Sequence, residues 1–125
     1  MTNIVPVKGT SGKIYRFAMV SKVTDLPETP GIFCFAFPLR YPGAPLESVY
    51  LGRALHDLKI EVLQNDLRAL AIEEGATMIG YMDVESRLAR RRIYTDLFQV
   101  LPDRLPTEEF MQEPPTHVRR SRLAR

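Results

Sequence analysis

Arg87, Arg90, Arg91 and Arg92 place four guanidinium groups within six consecutive positions. A guanidinium is planar, permanently charged and forked, so such a cluster suits contact with phosphate oxygens. The plainer reading is a solvated helix face whose charges pair with Asp83 or Glu85. A second cationic run ends the sequence as HVRRSRLAR, where Arg119, Arg120, Arg122 and Arg125 stand without an acid from Pro114 onward. The remainder carries 13 basic and 15 acidic residues. The body is therefore not a general polyanion-binding surface, and attraction to nucleic acid has to come from local patches or from the terminal arm. Such arms contact phosphates without sequence preference and weaken as salt rises.

Other chemistry is sparse. His56 and His117 lie too far apart for a local metal motif. Cys34 is the sole cysteine, which excludes an internal disulfide and a thiol zinc site within one chain; a reducing cytoplasm is the expectation. Its place in the apolar run IFCFAF marks it as a small buried side chain. No glycine-rich phosphate loop, Ser/His/Asp set or CxxC pair occurs. No apolar run approaches the ~20 residues that span a bilayer, so no membrane partner is expected. The opening MTNIVPVKGTSGK lacks the apolar core of a secretory signal.

The elements that must position these groups follow from pattern. Residues 4–7 and 14–20 flank the turn-rich KGTSGK and predict a hairpin, with Pro6 suited to an edge strand because it has no N–H to give. The prolines of DLPETPG mark a connection. Strands follow over 31–37 and 48–52, the first apolar enough to be central and covered on both faces. The spacing of Leu58, Ile60, Val62, Leu63, Leu67 and Leu70 predicts helix over 53–74, with Asn65-Asp66 able to break it into two and Gly75 a plausible stop. TMIGYMDV (77–84) predicts another strand. A helix fits 85–101, with Ala89, Ile93, Leu97 and Leu101 on one face and Pro102 ending it. Thr107–Gln112 could form one more short helix. This is an α+β layout, helices flanking a small mixed or antiparallel sheet, in a single domain over 1–113 with a basic arm over 114–125.

Pro30-Gly31-Ile32-Phe33 and Val49-Tyr50-Leu51-Gly52, read as GIF and YLG, resemble the paired tripeptides of the GIY-YIG endonuclease superfamily. Leu26-Pro27 ahead of Pro30-Gly31, the run YLGRALHDLKIEV and the run IYTDLFQVLPDRLP extend the resemblance over about residues 24–106. It implies a GIY-YIG-like core with an additional N-terminal hairpin over 1–23. It also implies metal-assisted phosphodiester hydrolysis by two tyrosines, a helix arginine, a metal-binding glutamate and an asparagine. In this chain those positions are Phe33, Tyr50, Glu61, Tyr94 and Pro106, so Tyr50 alone is retained. Phe33 lacks the hydroxyl, Glu61 reverses the arginine's charge, and Tyr94 offers a neutral phenol where a hard cation prefers carboxylate.

The resulting expectation is a GIY-YIG-like domain whose nuclease activity is lost or impaired, binding DNA or RNA through Arg53, Arg87, Arg90, Arg91, Arg92, Arg119, Arg120 and Arg122. It needs no cofactor. A second reading is an active, divergent endonuclease using Tyr50, Arg53 and Mg²⁺ or Mn²⁺ on Glu85 or Asp96. A third is a protein-interaction subunit whose former catalytic groove holds a partner chain.

Overall fold

Alternating apolar residues on either side of KGTSGK form the first two strands. In the computed structural model, which describes residues 3–105, β1 (Asn3–Lys8) and β2 (Ile14–Val20) pair antiparallel with Val5 opposite Phe17. Gly12 supplies the positive φ (+93°) that the reversal between them needs. A single 3₁₀ turn at Val23–Asp25, which the sequence pattern does not announce, leads into the proline connection.

Next come β3 (Gly31–Ala36) and β4 (Ser48–Ala54), then the short helices α1 (Leu58–Leu63) and α2 (Arg68–Glu73), then β5 (Met78–Asp83) and α3 (Arg87–Phe98). All pairings are antiparallel and the strand order is β1-β2-β5-β3-β4. Pro6 accordingly lies on an edge strand. β3 lies between β4 and β5, and all six of its residues are buried.

Side chains alternate across β3, so its two faces feed two cores. Phe33 and Phe35 pack with Leu58 and Val62 of α1 and Ala71 of α2. Ile32, Cys34 and Ala36 pack with Phe17 and Leu97, the last from α3. Cys34 is fully buried, and loss of hydration pushes its thiol up to about 12, which makes it an inert core side chain.

The helical stretch departs from expectation at both ends. β4 continues to Ala54 because Gly31 pairs with it, so α1 starts only after Asp57, whose carboxylate accepts the Ile60 N–H at 3.0 Å. The break at Asn65-Asp66 is present, with Asn65 Oδ1 accepting the Leu67 N–H at 2.8 Å. Two one-turn-scale helices cannot hold the single apolar stripe drawn through 58–70. Leu58 and Val62 are buried, whereas Ile60 and Leu63 face solvent. α3 starts at Arg87 and not at Glu85, because Ser86 caps it through Ala89 N–H at 3.1 Å.

After α3 the chain runs back along β4. Arg104 N–H donates to Val49 O at 2.9 Å. That covers a sheet edge which would otherwise be open to strand addition. Among the described residues, no helix is long and apolar enough to cross a membrane.

Candidate functional site

β4 carries Tyr50 on one face and Arg53 on the other, since odd and even positions of a strand point to opposite sides. Tyr50 lies against Phe33 and Phe35, with ring centroids 6.1 and 5.5 Å away. Phe33 is 1% exposed, and its ring lies across Gly52, where a Cβ would overlap it. The two tripeptides therefore meet as a packed aromatic cluster. The first position holds a buried hydrocarbon ring that presents no hydroxyl to solvent.

On the opposite face, Arg53 sits over the Tyr94 ring at 4.6 Å, and Tyr94 stacks on Phe98 at 5.6 Å. Such cation–π stacking holds a guanidinium in place while leaving its N–H groups available. Loss of hydration, then Asp103 and Tyr50, push the Tyr94 hydroxyl above the ordinary phenol value, with Arg53 opposing. Tyr94 is thus a neutral phenol at physiological pH and a poor ligand for a hard cation.

Arg53, Leu55, Glu61, Arg87, Arg90 and Arg91 line one open cavity of about 640 Å³. It lies between the end of β4, the first turn of α1 and the first turns of α3. The helix geometry explains which arginines reach it. Arg90 and Arg91 lie within about 60° of Arg87 around the axis, whereas Arg92 lies about 140° away. Arg92 lines a different cavity, of about 600 Å³, between α3 and the β1–β2 turn, which Arg91 also borders.

Arg90 is not the exposed contact expected from the cluster. It is 5% exposed, and its Nη1 donates to Val84 O and Glu85 O, each at 2.9 Å. Its position three before Ile93 and seven before Leu97 puts it on the apolar stripe of α3, a signal the charge count hides. Neither does the plainer reading of paired surface charges hold. No α3 arginine lies within ion-pair distance of a described carboxylate, and Asp83 accepts instead from Thr29 Oγ1 at 2.6 Å.

Asp96, one of two candidate metal ligands, is committed elsewhere. Its carboxylate accepts from Ser11 N–H at 2.7 Å, Ser11 Oγ at 2.6 Å and Tyr15 Oη at 2.8 Å, latching the β1–β2 turn onto α3. Glu85, the other, is exposed and precedes the helix. Among the described residues no three His, Cys, Asp or Glu side chains group as a cation site. Pro106, Arg119, Arg120 and Arg122, together with the 107–112 helix and the 114–125 arm, lie outside the described residues.

The Asp96 latch has a predictable pH signature. Its hydrogen bonds from Ser11 and Tyr15 hold the carboxyl below its ordinary 3.8. A lowered folded value means stability that is complete above the unfolded value and lost as pH falls through the folded one. Wild type should therefore melt above Asp96→Asn at neutral pH, and the gap should close below about pH 4. Thermal melts of the two proteins from pH 7 to pH 2.5 check this; a gap that persists unchanged at the acid end contradicts it.

Comparison with protein-family models, with curated proteins and with solved structures returns no match.

Proposed function

We propose that this chain is a GIY-YIG-like domain, extended by the β1–β2 pair, that binds nucleic acid and does not cleave it. One observation carries the reading: three exposed arginines from two separate elements, Arg53 on β4 and Arg87 and Arg91 on α3, line the same cavity as the fixed guanidinium of Arg90. Among the described residues of that lining Glu61 is the only carboxylate, against four arginines. Cations held around one concavity form a phosphate-contacting surface, and such contacts position a strand without reading its sequence.

The absence of cleavage rests on the side chains present. Hydrolysis at the Tyr50 position needs an activated water, a cation beside the phosphate and an acid for the leaving group. Phe33 supplies none of these. Glu61 puts negative charge where the resemblance calls for positive charge, and Asp96 already accepts three hydrogen bonds at the far side of α3. With Mg²⁺ or Mn²⁺ the protein is expected to leave supercoiled plasmid uncut while retarding it on a gel. Arg53→Gln should weaken retardation by about tenfold, the scale of one lost charged hydrogen-bond contact. Nicking that disappears in Tyr50→Phe would establish the divergent nuclease instead.

A further inference from the structure

We infer that the phosphate-contacting surface continues from the cavity beside Arg53 along α3 into the cavity under the β1–β2 turn, and that its occupant is an extended single strand of nucleic acid. The extension rests on the nucleic-acid reading above and assigns a second part of the surface to it.

The two cavities share a wall. Arg91 borders the cavity of about 640 Å³ together with Arg53 and Arg87, and it borders the cavity of about 600 Å³ together with Arg92. Helix geometry makes it the joint. Around the axis Arg91 lies about 40° from Arg87 on one side and about 60° from Leu88 on the other. Leu88, Arg92, Thr95 and Gln99 then follow one another at four- and three-residue steps, all exposed, as one stripe. The path from Arg87 to Gln99 is about 18 Å long. The guanidiniums are thus strung along the helix and do not end at one point.

The opposite wall of the second cavity is the β1–β2 turn, the part of the chain that the family resemblance leaves out. Asp96 fixes it against α3 through Ser11 and Tyr15, and Thr10 N–H adds a bond to Asp96 O at 3.1 Å. Thr10 Oγ1 also donates to Gln99 Oε1 at 3.4 Å. That contact engages the Gln99 amide through its oxygen, so its N–H donors remain for a ligand. Asp96 is the one carboxylate among the described residues of this lining, and its oxygens already accept three hydrogen bonds. Arg91 and Arg92 have no described carboxylate within ion-pair distance. Unpaired guanidiniums beside amide donors, on a wall held in advance, suit the oxygens of a phosphate backbone.

Two leucines select an unpaired strand over a duplex. Leu55 lines the first cavity and Leu88 the second, 53% and 56% exposed. Each stands among arginines. A duplex would meet this surface with its phosphates and keep its bases stacked inside. A single strand can turn a base onto each leucine while its phosphates lie on the guanidiniums, and covering those side chains releases water from apolar surface.

The test compares wild type, Arg53→Gln and Arg92→Gln on single strands of about 4 and about 12 nucleotides, and on a duplex of the longer length. The shorter strand settles in the first cavity, where three exposed arginines meet. Arg92→Gln should therefore weaken the longer strand about tenfold, the scale of one charged hydrogen-bond contact, and leave the shorter strand unchanged. Arg53→Gln should weaken both. Arg92 is exposed, so its variant should melt with wild type. The duplex should bind more weakly than the longer single strand. Wild-type affinity of Arg92→Gln for the longer strand, or equal losses on both lengths, overturns the extension; the nucleic-acid reading stands if Arg53→Gln still weakens both. A duplex bound as tightly as the single strand overturns the single-stranded occupant. Failure of every strand to bind removes the extension and the nucleic-acid reading together.

Discussion

Gly31→Ala is expected to be among the most destabilising single-methyl additions in this protein. A Cβ at Gly31 would overlap the Met82 carbonyl oxygen of β5 and come within 2.9 Å of the Leu58 side chain of α1. The Met82 carbonyl is backbone and cannot yield easily. The neighbouring backbone is fixed by Val84 N–H donating to Pro30 O at 3.0 Å and by Leu58 N–H donating to Thr29 O at 2.9 Å. Overpacking of this kind costs about 1–3 kcal/mol, and more where backbone must move. A loss near 3 kcal/mol lowers the midpoint of a domain this size by on the order of 10 °C. Gly52→Ala should cost less, because its obstacle is the Phe33 ring, a side chain that can tilt. Thermal melts of both variants give the order directly; a Gly31→Ala protein as stable as wild type contradicts the β3–β5–α1 junction described above.

Arg87→Glu/Arg91→Glu is expected to move binding and stability in opposite directions. Two phosphate contacts are lost and two repulsive charges gained, so affinity for an oligonucleotide should drop by on the order of 100-fold or more. The Arg87 change replaces a cation with an acid in the first turn of α3, where the helix dipole favours an acid by about 0.3–1 kcal/mol, whereas Arg91 lies in the second turn. Arg53 and Arg90 stay nearby as partners for the new carboxylates. The melting temperature should rise slightly or hold. A variant that loses binding by unfolding would lose both together, so the sign of the stability change separates a contact role from a structural one.

Much of the scaffold was legible because local chemistry and tertiary packing agree. The KGTSGK turn, the apolar run of β3, the Asn65-Asp66 break and the α3 stripe each point to one outcome, and the folded chain adopts it. The errors arise where a distant partner decides. Asp57 begins α1 only because Gly31, far back in the sequence, draws β4 out to Ala54. Ile60 and Leu63 fit an apolar stripe on a long helix but are left in solvent once two short helices replace it. Asp96 has the chemistry of a metal ligand. Its partners Ser11 and Tyr15 lie over 80 positions away, and no local signal joins them.

The arginine cluster shows the same limit at the candidate site. Counting charges treats Arg87, Arg90, Arg91 and Arg92 alike, whereas one helix separates them into three environments. Arg87 and Arg91 border the cavity with Arg53, Arg90 is a buried clasp on the chain entering α3, and Arg92 faces the β1–β2 turn. A 3.6-residue projection already separates Arg92 from the rest. The same projection puts Arg90 on the Ile93/Leu97 stripe, but its bonds to the Val84 and Glu85 carbonyls show only in the folded chain. Glu61, legible only as a charge reversal, turns out to face the cations.

The salt dependence of oligonucleotide binding tests the central claim most directly. Each phosphate neutralised on a single strand contributes about −0.7 to the slope of log K against log salt. Contacts from Arg53, Arg87 and Arg91 should therefore give a slope near −2, and Arg87→Gln/Arg91→Gln should bring it below about half of that. A slope near zero in the wild-type protein, or one that the double variant leaves unchanged, contradicts phosphate binding in this cavity.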